Sequence, residues 1–375
     1  MLRQEAASAR IKMAGIALAA GLGAAAAALV VLGNPGNMGL CGACFLRDLA
    51  GALKLFEKGP KYMRPEVPGL VFGALLMALA ARRFTARSGG FAAGRFVMGM
   101  WMSIASLVFL GCPFRMLQRL GGGDLNAWIG LPGFVLGVGL GLCLERRGYS
   151  PGKTAPVPAA VGLLMPLALG GIFTMYLAGG LLAGPGPSDT VLPPPHASWV
   201  AALGIALVAG AALSATGFCA ISAARQVFSG PKTMLWAALA LVAGYAAVAV
   251  TTGRFSARLD PQPIAHSDWL WNILALGLLG LTGVLAGGCP VRQLVMAGEG
   301  HGDAMVCVAG LIAGGAVAHN FGLVSSFTTP DVPGGSTAAG RVALMLGWAF
   351  CLIYSVWVTL SLKASSAPPK APTEP

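Results

Sequence analysis

Residues 111–127 read GCPFRMLQRLGGGDLNA and residues 288–304 read GCPVRQLVMAGEGHGDA. They align without a gap: Gly111, Cys112, Pro113, Arg115, Leu117, Gly121, Gly123 and Ala127 match Gly288, Cys289, Pro290, Arg292, Leu294, Gly298, Gly300 and Ala304. A weaker pair lies at nearly the same offset, GLCGACFLR at 39–47 against GFCAISAAR at 217–225, matching Gly39, Cys41 and Arg47 to Gly217, Cys219 and Arg225. The chain is therefore two related halves, 177 to 178 residues apart.

Around these motifs the composition is that of a membrane protein. Of 375 residues, 56% are hydrophobic and 10% charged, with mean hydropathy +0.75; soluble chains carry about 25% charged residues to keep their surfaces wet. That argues against a soluble enzyme. About 20 apolar residues cross a hydrocarbon core, and ten stretches qualify, near 13–33, 66–82, 92–111, 127–146, 159–183, 198–217, 233–252, 269–287, 303–323 and 341–362. Five spans separate equivalent motif positions, so the second half is expected upside down relative to the first. After each motif cysteine only about ten weakly apolar residues precede the next full span, too few to cross. A short helix that enters and turns back fits each. The expected fold is all-α: a polytopic membrane protein of about ten transmembrane helices and four re-entrant helices in two inverted repeats. Its expected parts are a cytoplasmic N-terminus (1–12), a first repeat (13–183), a Pro-rich outer linker (184–197), a second repeat (198–362) and a disordered tail (363–375).

Charge sets the orientation. The net charge of +12 is distributed at the ends of apolar spans, as the positive-inside rule requires, and not as a nucleic-acid-binding patch. With both termini cytoplasmic, 14 of the 25 Lys and Arg fall on the inside, nine outside, and Arg95 and Arg341 at span edges. The connections 184–196 and 324–340 contain neither residue, which places them outside.

In Gly-Cys-Pro the proline favours the first helical position, leaving Cys112 and Cys289 at the N-cap. There a thiol feels the positive end of the helix dipole beside free backbone N–H groups, a small anion site with a sulfur edge. Gly111 and Gly288 allow close approach. Cys143, Cys307 and Cys351, inside ordinary spans without a motif, read as small apolar residues. Cys41 and Cys44 form a Cys-x-x-Cys that suggests a redox pair, yet Ser222 stands at the repeat's equivalent of Cys44. Arg47, Arg115, Arg225 and Arg292 are expected either to snorkel to headgroups or to gather anions at the mouths. Asp124, Asn126, Glu299 and Asp303 are expected to cap the next span. His319 with Asn320, at membrane depth, is a functional candidate against a plain interhelix hydrogen bond. His196, His266 and His301 fall in loops or at edges, and no set has metal-ligand spacing. No nucleotide-binding motif is present, so no cofactor is expected, ATP-driven transport by this chain alone is excluded, and a gradient or consumption of the solute inside the cell must drive it.

The segments TGFCAISAARQ at 216–226, GCPFRMLQRLGGGDLNA, GGCPVRQLVMAGEGHGDA and AHNFG at 318–322 resemble the YeeE/YedE sulphur-transport family of bacterial inner-membrane proteins, most of all its YedE-like branch associated with selenium metabolism. The similarity spans roughly residues 13–360. It implies an hourglass-shaped inner-membrane protein, not an enzyme, that takes up a small sulfur- or selenium-containing compound. In thiosulfate-importing members, cysteines relay the anion by transient S–H···S contacts. The matching positions are Cys41 on the outer side, Cys112 near the middle and Cys289 toward the cytoplasm, with Cys219 the symmetry partner of Cys41; Gly111, Pro113, Arg115, Arg225, Gly288, Pro290, Arg292, His319 and Asn320 are the expected supporting set. A soluble TusA-like sulfur-carrier protein is the partner the resemblance suggests. Cys44 and the longer Gly-Cys-Pro segments depart from a simple thiosulfate importer. The alternatives are a thiosulfate-specific importer, a membrane thiol-disulfide oxidoreductase using Cys41 and Cys44, and a poreless anchor for a sulfur carrier.

Overall fold

The computed structural model describes residues 2–179 and 194–365. The elements run α1 (Leu2–Val31), α2 (Gly42–Ala52), α3 (Glu66–Ala80), β1 (Arg87–Gly89), α4 (Ala92–Phe109), α5 (Pro113–Gly121), α6 (Leu125–Arg146), β2 (Thr154–Pro156), α7 (Ala159–Gly162) and α8 (Leu164–Leu177), then α9 (Trp199–Thr216), α10 (Ala220–Phe228), α11 (Thr233–Thr251), α12 (Trp269–Ala286), α13 (Pro290–Gly298), α14 (Gly302–Asn320) and α15 (Ala338–Ser365). The protein is an all-α membrane protein; among the described residues the strands are one three-residue antiparallel pair, β1 with β2.

Among the described residues eight segments, built on α1, α4, α6, α9, α11, α12, α14 and α15, are long and apolar enough to cross a membrane, where ten were expected. The second and fifth expected spans are the 15-residue α3 and the 14-residue α8. At 1.5 Å per residue these reach about 22 Å, short of a hydrocarbon core of about 30 Å. In the fifth, the chain breaks at Leu163 between α7 and α8, since Pro166 has no N–H to offer the Gly162 carbonyl. Helix α1 starts at Leu2, while its membrane-spanning part starts at Lys12, close to the expected residue 13; α15 continues through Ser365, where a disordered tail was expected from residue 363. Most of the Pro-rich linker (184–193) and the rest of the tail (366–375) lie outside the described residues.

Four helix pairs form the frame: α6 with α12, α4 with α14, α3 with α9 and α1 with α11. Each joins one half of the chain to the other, and exchanging the halves at the sequence offset turns each pairing into another of the four. Glycine makes these contacts close. A Cβ added at Gly137 would overlap the Gly277 carbonyl oxygen, and one at Gly310, Gly73 or Gly244 would overlap that of Phe96, Leu207 or Ala20. Small residues of this kind let membrane helices gain dispersion contacts where the hydrophobic effect gives no drive.

The long helices run between two faces. One carries the connections 32–41, 53–65, 194–198, 252–268 and 321–337, tied together by Arg64 Nη1 donating to Pro195 O at 3.1 Å and Asn320 Nδ2 to Leu55 O at 2.9 Å, with Ser325 Oγ donating to Val108 O at 2.7 Å. The opposite face carries 81–91, 147–158 and 299–301, tied by Arg95 Nη2 to Pro151 O at 3.1 Å, Arg87 N to Gly300 O at 3.3 Å and Gly89 N to Asp303 Oδ1 at 2.7 Å. Lys12 borders a cleft with Ala215 and Thr216, and Lys363 lies beside Gly148. The start of α1 and the end of α15 are therefore on this same second face.

Candidate functional site

Helices α2, α5, α10 and α13 each begin at a motif cysteine in extended backbone conformation, with φ/ψ of −147/123 at Cys41, −80/169 at Cys112, −150/132 at Cys219 and −73/166 at Cys289. A left-handed residue breaks the helix just before two of them. Helix α4 ends at Leu110 with φ +62 and α12 at Gly287 with φ +83, and the next N–H closes the turn, Gly111 to Ser106 O at 2.7 Å and Gly288 to Gly283 O at 2.8 Å. Pro113 and Pro290 then open α5 and α13, where a missing N–H costs nothing.

The four thiols are free and at most 3% exposed. They gather in two pairs. The Cys41 and Cys112 side chains are within hydrogen-bonding reach of each other, and so are those of Cys219 and Cys289. Backbone N–H groups surround the sulfurs: Cys44 N lies 3.3 Å from Cys41 Sγ, Cys289 N lies 3.4 Å from Cys219 Sγ, and those of Gly42 and Arg115 point at Cys112. The two pairs adjoin. Gly42 packs on the backbone of Pro290 and Val291, while Phe114, two residues past Cys112, meets Phe218 edge-on at 6.2 Å. Four helix N-termini thus converge on one buried locus, where their partial positive charges favour an anion and the thiols supply soft contacts.

Arginine placement departs from expectation at Arg115. It is neither a headgroup anchor nor a mouth residue; it is fully buried. Its Nε donates to Asn37 O at 3.0 Å, its Nη2 to Pro263 O at 3.2 Å and Ile264 O at 3.3 Å, and its Nη1 to Leu110 O. The side chain reaches them by folding back over Gly111, where an added Cβ would stand 3.1 Å from Arg115 Cδ; Arg292 lies over Gly288 in the same way. That is the steric reason for glycine four residues before the arginine. Arg292 pairs with Glu299 at 3.0 Å, Arg225 with Glu145 at 2.5 Å and Arg47 with Asp48 at 2.7 Å.

Of the expected caps, Asp124 accepts from Asn126 N at 2.9 Å at the start of α6. Asn126 instead donates to Leu259 O at 2.6 Å, and His301 holds the N-cap position of α14. Glu299 and Asp303 serve arginines, Asp303 being 3.5 Å from Arg95. His319 stacks on Phe56 with ring centroids 4.3 Å apart and its Nδ1 lies 3.1 Å from Lys58 O. With Asn320 it binds the 55–59 loop. Cys307 and Cys351 are buried within long helices, while Cys143 is exposed.

Three features escaped the sequence reading. Gln118 clasps the residue before Cys41, taking the Leu40 N–H at 3.2 Å and donating to Leu40 O. Gly42 permits the contact with Pro290, a role its place beside Cys41 could have signalled. The third is a further repeat, RFTAR at 83–87 and RFSAR at 254–258. RFTAR borders a cleft of about 320 Å³ with Arg292, Glu299 and His301 that reaches Thr216 and Gly217, next to Cys219. RFSAR borders a cleft of about 590 Å³ on the opposite face, backed by Pro263 and Ile264, whose carbonyls hold Arg115. In the first cleft His301 accepts from Arg87 Nε at 3.0 Å. Burial, with Arg87 and Arg292 beside it, pushes its pKa down to about 4, so it is neutral at pH 7.

Residues 215–374 match the family model for sulphur transport. The matched segment contains Cys219 and Cys289 with their short helices, and its motifs are the ones repeated around Cys41 and Cys112. Among curated proteins, none matches the chain. The chain is thus a multi-pass membrane protein whose second half is similar to a sulphur-transport family.

Proposed function

We propose that this protein is an inner-membrane uptake transporter for a small sulfur- or selenium-containing anion, passed through a thiol-lined waist by Cys41, Cys112, Cys289 and Cys219. The observation that carries this reading is the convergence of four cysteine-capped helix N-termini, with two thiol pairs back to back across the Gly42–Pro290 contact. Desolvating an anion is costly; helix dipoles, backbone N–H donors and polarisable thiols offset part of that cost along the path. The helix pairings exchanged between halves support an inverted repeat, and short helices α2, α5, α10 and α13 at its centre suit re-entrant segments, the layout many transporters use at the midplane. The face bearing the start of α1 and the end of α15 is then cytoplasmic. A TusA-like carrier would receive the solute there.

Uptake into proteoliposomes of labelled thiosulfate, sulfite, selenite and selenide, for the wild type and for Cys112→Ala, tests the proposal. Wild-type flux of at least one compound, falling at least about tenfold in Cys112→Ala while Cys351→Ala keeps wild-type flux, is expected, since the Cys351 thiol lies outside the paired set. Equal flux through all three proteins would refute the thiol path. The oxidoreductase reading is favoured by the contact of Cys44 with Cys41, and it requires that Cys44→Ser abolish function and that a mixed disulfide with a carrier be trapped.

A further inference from the structure

The segment between α3 and α4 contains Arg83-Phe84-Thr85-Ala86-Arg87, and that between α11 and α12 contains Arg254-Phe255-Ser256-Ala257-Arg258. Their likeness extends to structure. Arg87 forms a parallel backbone bridge with His301, and Arg258 forms one with Asp124; His301 and Asp124 are equivalent positions of the Gly-Cys-Pro repeat, 177 residues apart. Gly300 lies against the Thr85 carbonyl and Gly123 against that of Ser256. Each loop therefore packs across the end of the other half's short helix, one at each face, and each lines a cleft there.

The donor sets match as well. Arg83, Arg87, Arg254 and Arg258 are exposed, and among the described residues none has a carboxylate within ion-pair distance, whereas seven other arginines do. Arg87 donates to His301 and Arg258 to Ser256 Oγ, which fixes these side chains without neutralising them. Two guanidinium groups with no carboxylate partner, beside a hydroxyl, suit a small oxyanion, which accepts planar forked donors. We infer that these loops are matched oxyanion-receiving sites, one at each mouth of the path. The inference rests on the proposed transport of an anion: the solute would meet the same pair of guanidinium groups and the same hydroxyl on entering and on leaving. The first cleft reaches Gly217, two residues before Cys219, and the second lies over the loop that holds Arg115.

The experiment reads the sites without transport. Single cysteines replace Ser256 and Thr85 in full-length protein carrying Cys143→Ala, reconstituted in phosphatidylcholine. Their modification is timed with anionic 2-sulfonatoethyl methanethiosulfonate and with its cationic trimethylammonium analogue. The anionic reagent should react about tenfold faster than the cationic one, from local positive potential, and millimolar thiosulfate should slow it. Arg254→Gln with Arg258→Gln should remove both effects at residue 256, as Arg83→Gln with Arg87→Gln should at residue 85. Equal rates for the two reagents, or no protection by thiosulfate, would overturn the sites. So would protection by phosphatidylglycerol with none by thiosulfate, which would make the loops lipid-headgroup seats. Because these rates do not depend on flux, a protein that carries no labelled solute yet shows charge preference and protection would sink the transport proposal and leave the sites standing.

Discussion

Gly42, one residue past Cys41, lies against Pro290, one residue past Cys289, so closely that a Cβ on Gly42 would stand 2.8 Å from the Pro290 carbonyl carbon and 2.7 Å from Val291 N. The opposing atoms are backbone and cannot swing aside. Gly42→Ala should therefore push the starts of α2 and α13 apart at the cost of about 1–3 kcal/mol, as overpacking does. The check is the thermal midpoint in detergent beside solute flux: the variant should melt lower and carry less. A variant with the wild-type midpoint and flux would mean the waist is not held by this contact.

Arg115 tests whether a buried cation here acts as a structural clamp. It binds four backbone carbonyls from three segments, and unpaired buried acceptors cost about 1–3 kcal/mol each. Arg115→Met should lower unfolding stability by several kcal/mol on that scale. Arg225→Gln removes only a pair in which both side chains are roughly 30% exposed, 31% and 28%, and exposed pairs contribute about 0–1 kcal/mol. Denaturant unfolding of the two variants should separate them clearly.

The same residue shows what a sequence can disclose. The Gly-Cys-Pro-x-Arg repeat, the eight long apolar helices and the cysteine-led short helices are local patterns, each carried by residues adjacent in the chain. Arg115 and Arg292 look identical at that level. Their fates diverge because the loop at 260–266, which has no counterpart between 87 and 111, lays its carbonyls over Arg115, while Arg292 has Glu299 within reach. The same insertion hid RFTAR and RFSAR, which align at an offset of 171, not 177. Hydropathy alone overstates the lengths of α3 and α8 because it does not register where a proline or a charged turn ends a helix.

Close helix packing predicts a sharp contrast between two glycines. A Cβ at Gly137 would overlap the Gly277 carbonyl oxygen, whereas one at Gly204, also inside a long helix, meets nothing within 4 Å. Gly137→Ala should destabilise by about 1–3 kcal/mol. Gly204→Ala should be neutral or stabilising by up to about 1 kcal/mol, the helix propensity difference. Thermal unfolding of both proteins provides the comparison; equal midpoints would contradict the packing of α6 on α12.

His301 predicts a pH window. Its pKa is lowered from 6.5 to about 4 by burial and by Arg87 and Arg292, against a smaller opposing pull from Asp303. Below pH 6.5 the unfolded chain takes up a proton at this residue that the folded protein refuses, so stability attributable to His301 is lost as pH falls from 6.5 toward 4 and changes no further below that. His301→Gln removes the titration and keeps an acceptor for Arg87. The difference in thermal midpoint between variant and wild type should thus shift in the variant's favour across this interval and stay constant between pH 7 and 8. A difference that does not vary from pH 7.5 to 4 would mean that His301 is protonated in the folded protein as readily as in the unfolded chain, and that Arg87 does not donate to it.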